Sequence, residues 1–218
     1  MSLLKKKTDH KRHTSLLPNT LRAVFCGPSN SGKTNALISL ITNQNGLYFQ
    51  NIYLYSKSLN QPKYRYLETL LKPVEEIGFH QFCDNEKVIS PDEAKPNSSM
   101  IFGDIACEKQ NHLKAYFCMG RHKGVDSFYL CQSYAQAPKH LVRDNINFMV
   151  IFRQDGMNLR HIWLDQVNTD LPFEKFKKMC SICWNEKYGF LVIDKDSDLN
   201  SDRYHKGFYI YFTNLSPF

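Results

Sequence analysis

The chain has 218 residues, 42% hydrophobic and 13% aromatic, which excludes a disordered or fibrous chain and suits one α/β domain with short appendages. Its longest apolar runs reach about five residues, as at 148–152, where a membrane-spanning helix needs about 20. The formal net charge of +7 favours an acidic partner, nucleic acid first, with ordinary solubility charge as the alternative.

Residues 1–17 form a polar, basic lead-in in which Lys5, Lys6, Lys7, Lys11 and Arg12 lie beside His10 and His13. No apolar stretch follows these charges, so the segment does not read as a secretory signal. It is expected to be a flexible tail, able to touch phosphates or to direct nuclear import, with residues 18–218 forming a single domain. Strands are predicted at 22–26, 51–55, 100–104, 127–132 and 148–153, each a compact run rich in β-branched or aromatic residues. Helix-length segments at 33–42, 61–71 and 108–120 separate them. This alternation predicts an α/β fold, a parallel sheet covered by helices on both faces. Helices at 158–166 and 172–185 are expected next. Two further strands at 189–193 and 207–212 follow, with a charged loop at 194–206. The odd set Cys26, Cys83, Cys107, Cys118, Cys131, Cys180 and Cys183, partly inside apolar runs, reads as reduced, buried thiols. Cys180-x-x-Cys183 is half a zinc pattern without a second pair at the right spacing, so packed thiols on an amphipathic helix are expected.

The sharpest signal is Gly27-Pro28-Ser29-Asn30-Ser31-Gly32-Lys33-Thr34, which fits G-x-x-x-x-G-K-[ST]. An apolar strand enters it and a helical run leaves it through Asn35. The glycines let backbone N–H groups curl inward on phosphates, and the helix N-terminus adds its positive dipole end. Lys33 can reach the β- and γ-phosphates, and the Thr34 hydroxyl can ligate Mg²⁺. Residues 27–35 are therefore expected to bind ATP with Mg²⁺.

A carboxylate at the end of a neighbouring strand should complete the metal site, because ligands of open α/β sheets bind at the strands' carboxyl ends. Asp104, closing the run Met100-Ile101-Phe102-Gly103-Asp104, is the expected Mg²⁺ ligand. Glu108 lies one helical turn on and is either the water-activating base or a solvated helix residue. Gln132, at the end of the next apolar strand, can meet the γ-phosphate or the attacking water, or merely cap a strand. Arg121, Arg143 and Arg153 are candidates for stabilising transferring phosphoryl oxygens, each also readable as a surface arginine.

Together, Gly27–Thr34, residues 101–104, Gly120-Arg121-His122, Leu130-Cys131-Gln132-Ser133-Tyr134 and residues 138–145 resemble the poxvirus-type DNA-packaging ATPases of the FtsK/HerA superfamily, in the flavour of Maverick/Polinton elements. The tail segments around Phe176–Cys180, Trp184 and Tyr188–Asp194 resemble that family too, so the likeness spans about residues 20–212. The resemblance implies a RecA/FtsK-HerA-like P-loop fold with added C-terminal strands. It implies an ATP-driven motor that moves double-stranded DNA into a preformed capsid or portal vertex as a homo-oligomeric ring of five or six subunits. It makes Gln132 the family's strand-end glutamine and Arg121 the arginine acting on a neighbour's nucleotide, with Arg143 as runner-up. Gly103 departs from the pattern, since the family often has an acid there. The implied location is inside an infected host cell, in the nucleus or a cytoplasmic factory, or with the virion; secretion and a membrane partner are not expected. A small-molecule kinase is the alternative use of the same loop, although the arginines are scattered rather than gathered in a lid. A nucleotide-binding scaffold without turnover is another. A GTPase lacks its Asn-Lys-x-Asp guanine reader here.

Overall fold

A computed structural model describes residues 12–14, 17–103, 105, 110–140, 142–199 and 202–212. The first strand, β1 (Arg22–Cys26), shows why the elements form. Its alternate residues serve two cores: Val24 and Cys26 pack into one cluster, Ala23 and Phe25 into the other. A strand buried on both faces must be apolar throughout, which is what a parallel sheet between helix layers demands. The helix α1 (Lys33–Thr42) follows, then β2 (Asn51–Ser56), α2 (Pro62–Leu71), β3 (Gly78–Phe82), β4 (Ser98–Gly103), α3 (Asn111–Met119), β5 (Val125–Cys131), β6 (Phe148–Phe152), α4 (Gly156–Gln166), α5 (Phe173–Trp184), β7 (Phe190–Asp194), β8 (Tyr204–Lys206) and β9 (Ile210–Tyr211).

Among the described residues, nine strands form one sheet in the order β3-β2-β4-β5-β1-β6-β7-β8-β9. The first six in that order run parallel; β7, β8 and β9 extend the sheet by antiparallel pairing. Helices α1 and α2 bury Leu37, Leu40, Leu67 and Leu71 on one face, while α3, α4 and α5 bury Leu113, Phe117, Ile162, Phe176 and Cys180 on the other. The expected α/β class, parallel core and appended C-terminal strands are all present.

Two expectations are corrected. The strand β3 was not predicted, and the strand expected at 207–212 is shortened to β9 at Ile210–Tyr211, with 207–209 forming the turn of a β8–β9 hairpin and part of the expected loop forming β8. Gly207 sits at φ +63°, a left-handed position that ends a strand rather than starting one. The cysteines divide: Cys26, Cys131, Cys180 and Cys183 are buried, Cys118 is half-buried and Cys83 is exposed, contrary to expectation; Cys107 lies outside the described residues. Burial holds the Cys180 thiol well above its usual range and lifts Cys183 to about 12, and no group of three metal-ligating side chains occurs among the described residues.

The parallel core places every strand-to-helix connection from β1, β2, β4, β5 and β6 on one edge. The phosphate loop, residue 57, the Gly103 end of β4, Gln132 and Arg153 therefore all lie on the same side of the sheet.

Candidate nucleotide-binding site

The loop begins where β1 hands its register to Gly27, whose N–H donates to the Cys131 carbonyl of β5 at 3.1 Å. A Cβ at Gly27 would lie 2.6 Å from Phe152 Cβ and 2.8 Å from Ser31 Oγ, so only glycine fits between the loop and β6. Asn30 at φ 60° and Gly32 at φ 104° turn the chain into α1. The first bond of α1 is Ala36 N–H to the Gly32 carbonyl, so the N–H groups of Gly32, Lys33, Thr34 and Asn35 precede the helix's own ladder. No side chain caps this terminus and its first turn holds no acid. The Ser31 hydroxyl is buried without a hydrogen-bond partner. An uncapped, acid-free helix end beside a buried, unpartnered hydroxyl suits an oligophosphate.

Around them lies a cavity of about 250 Å³ lined by Ser29, Asn30, Ser31, Gly32, Lys33 and Thr34, and closed by Gln61, Lys63, Tyr64, Leu130 and Gln132. Lys33 Nζ folds over the loop, donating to the carbonyls of Gly27 at 2.5 Å and Pro28 at 2.8 Å. Gln132 is exposed at the end of β5 and reaches this cavity as expected from sequence. A second cavity of about 370 Å³ adjoins through Pro28 and Ser31 and is walled by Phe152, Arg153, Trp184 and Tyr188. Tyr188 holds φ 66°, strained for a non-glycine residue, and its side chain packs beside Gly32. Trp184 is pinned by donation from its indole to the Ile151 carbonyl at 3.0 Å. Sequence reading assigned no site role to Lys63 and Tyr64, which arrive together on α2 outside any motif, or to Tyr188, which it placed only in the tail segment.

The expected metal ligand Asp104 and the expected base Glu108 lie outside the described residues. Thr34, the other expected metal ligand, is at the cavity wall. The two arginines named for action on a neighbour differ sharply. Arg121 is exposed on the turn before β5, near Arg22, whose guanidinium pKa it helps to lower after burial. That is the opposite end of the sheet: β5 runs seven residues from there to Gln132, about 20 Å at strand rise. Arg143 is committed internally. Its Nε donates to the Ala137 carbonyl, Nη1 to Asp165 and Nη2 to the Ala135 carbonyl at 2.8–3.0 Å, and its guanidinium covers the Tyr134 ring at 4.7 Å.

The family described as Poxvirus A32 protein matches residues 8–171 of this sequence. The chain belongs to that family. No curated sequence matches it. Solved structures share the fold. The genome packaging NTPase B204 from Sulfolobus turreted icosahedral virus 2, in complex with AMP, superposes with a TM-score of 0.58 at 14% identity, over 86% of this chain and 96% of that one. Its complex with ATP-gammaS gives 0.55 at 13% identity, over 86% and 96%. The DNA-packaging ATPase B204 from Sulfolobus Turreted Icosahedral Virus gives 0.55 at 14% identity, over 85% and 95%. The poxvirus-type family expected from the sequence is thus the one found, and the A32-family chain carries its phosphate loop on a packaging-NTPase fold.

Proposed function

We propose that this A32-family chain is an ATPase that drives viral double-stranded DNA into a preformed capsid, working as a homo-oligomeric ring inside the infected cell. The observation that carries the reading is the open end of α1: acid-free, uncapped, with a buried unpartnered Ser31 hydroxyl and Lys33 across the loop. The phosphates belong in the 250 Å³ cavity and the nucleoside end in the adjoining one, against Tyr188 and Trp184. Residues Gly27–Asn35 hold the phosphates. Thr34 and Asp104 would hold Mg²⁺, which supplies charge neutralisation on the β- and γ-oxygens. Gln132 faces the terminal phosphate end of the cavity. Glu108 is kept as the proposed base.

Arg121 is the proposed finger for a neighbouring subunit's nucleotide. It stands about 20 Å from its own phosphate loop, so it serves another subunit's site or none. Arg143 is the weaker choice because its donors already fasten 134–138 to α4. A finger supplied between subunits contributes about 10³–10⁵ in rate, which makes hydrolysis depend on the ring. The basic charge of the chain suits contacts with DNA phosphates that ignore sequence and weaken with salt.

The test is ATP hydrolysis by the purified protein with and without linear duplex DNA, beside Lys33→Ala and Arg121→Ala. Stimulation by DNA, loss in Lys33→Ala, and poisoning of mixed assemblies by Arg121→Ala are expected. Hydrolysis indifferent to DNA would sink the motor and favour a kinase, to be sought with phosphate acceptors.

A further inference from the structure

The last residue of β4, Gly103, has no side chain, and the structure shows what stands in its place. A Cβ built there would lie 2.1 Å from Tyr64 Oη and 3.1 Å from Tyr64 Cζ, with Ser56 Cβ at 3.8 Å. The space above the end of β4 is therefore filled by a phenol that arrives from α2. Positions 103 and 64 exclude one another: any side chain at 103 must evict the Tyr64 hydroxyl.

Tyr64 is 2% exposed. Its ring belongs to the apolar cluster beneath α1 and α2, with Leu37, Leu67, Ile101 and Leu130. The same residue lines the phosphate cavity, alongside Lys33, Thr34 and Gln132. A tyrosine is suited to this double placement, since its body packs as a hydrophobe while its hydroxyl needs a polar environment. Phenylalanine would fill the same place in the apolar cluster, so the hydroxyl over Gly103 is what tyrosine adds. Its location is also specific. It overhangs Gly103, the strand end that precedes residue 104.

We infer that Tyr64 is a positioning residue for ATP hydrolysis: its hydroxyl occupies the place of a β4 side chain and orients the polar groups that meet the terminal phosphate. The inference rests on the nucleotide reading of this cavity. It gives the Gly103 departure a physical cause, because the strand end gave up its side chain to make room for an O–H from another element. A group that orients its neighbours without touching the reacting bond changes metal affinity or activity by about 10–100-fold when removed.

The experiment compares Tyr64→Phe with the unmodified chain in four measurements: ATPγS affinity, kcat and KM for ATP, affinity for ADP with aluminium fluoride, and thermal midpoint. Tyr64→Phe should leave ATPγS affinity, KM and the midpoint unchanged. It should lower kcat, and weaken the ADP–aluminium fluoride complex, by about 10–100-fold. Gly103→Ala supplies the second arm. It should lower both kcat and midpoint in the unmodified chain, and its midpoint loss should shrink in the Tyr64→Phe background, where the 2.1 Å obstacle is gone. Undiminished kcat in Tyr64→Phe, with ATPγS still bound, overturns the role of Tyr64 alone. A parallel fall in ATPγS affinity and midpoint overturns it in favour of plain packing. Failure of the unmodified chain to bind ATPγS overturns the nucleotide reading and this inference with it.

Discussion

The two edges of the parallel sheet treat polar groups in opposite ways. At the edge where the strands begin, Asp126 is fully buried and accepts from the Leu21 N–H at 2.9 Å, with Arg12 at 3.3 Å, His13 Nε2 at 3.1 Å and the Ser99 hydroxyl at 3.5 Å. His13 Nδ1 accepts from the Tyr48 N–H at 3.2 Å, and Nε2 lies 3.1 Å from the Asp126 carboxylate without making a hydrogen bond. Asn147 likewise ties Arg22 N–H, the Thr20 carbonyl and Asp196 together at 2.7–2.8 Å. At the edge where the strands end, Ser31 has no partner, α1 has no cap, and Asn30 and Tyr188 hold left-handed backbone. One edge gathers its polar groups around Asp126 and Asn147 and fastens the start of the domain, with Arg12 Nε and His13 Nε2 left without a hydrogen bond. The other leaves the Ser31 hydroxyl and the α1 terminus open, and unmade hydrogen bonds in a cavity are a binding site waiting for its acceptor.

This contrast breaks most plainly at Asp126. Replacing it by alanine strands the half-buried Arg12 guanidinium and the buried His13 ring, a change that costs about 3–5 kcal/mol when one partner of a buried ion pair is removed. Urea denaturation of Asp126→Ala should show that loss, while ATPγS affinity of the protein still folded stays as it was. A parallel loss of nucleotide affinity would mean that the two edges are not separable.

The reverse experiment is Lys33→Ala. Lys33 donates to two loop carbonyls and belongs to neither apolar cluster, so the unliganded midpoint should change little. Hydrolysis should fall by about 10²–10³-fold, the loss expected when a preorganised donor to developing charge is removed. The stabilisation that ATP confers on the unmodified protein should vanish with it, since ligand binding raises stability only through its affinity. A large drop in the unliganded midpoint would show that the loop, too, is structural.

The part of this arrangement that was legible in sequence is the part with local signatures. The loop and its flanking strand and helix were readable because glycine, lysine and threonine at fixed spacing have one physical use, and Arg22–Cys26 and Lys33–Thr42 were found at their predicted bounds. The interior strands were readable because burial on both faces forces continuous apolar runs. The strand β3 was not: Gly78-Phe79-His80-Gln81-Phe82 is an edge strand, half-covered, whose pairing with Asn51–Tyr55 supplies what its composition does not. The hairpin β8–β9 hid in a charged stretch for the same reason. Arg12 and His13, read from sequence as part of a solvated lead-in, pack against Asp126 across more than a hundred residues of chain, and no local pattern records that. Tyr64 escaped notice because its role depends on a missing Cβ in another element.

The smallest effect lies within the binding edge itself, where two helices begin side by side. The helix α4 starts just past β6 with Asp155, whose carboxylate accepts from the N–H groups of Met157 and Asn158 at 2.9 Å, whereas α1 starts with nothing. The Asn158 backbone N–H, then its side-chain amide, hold the Asp155 carboxyl below its usual range. A carboxylate depressed in the folded state stabilises above its unfolded pKa of about 3.9, and that contribution is lost as pH falls through the lower folded value. Melting of Asp155→Ala should therefore show a modest drop at neutral pH that narrows below about pH 3.9, as the unmodified protein loses the same contribution. Asp155→Asn, which keeps a capping oxygen without the charge, should recover part of the midpoint and none of the pH dependence. A pH-independent gap between the unmodified protein and Asp155→Ala would assign the cap to its hydrogen bonds alone. The charge that α4 carries in its own sequence would then not be the counterpart of the phosphate that α1 takes from outside.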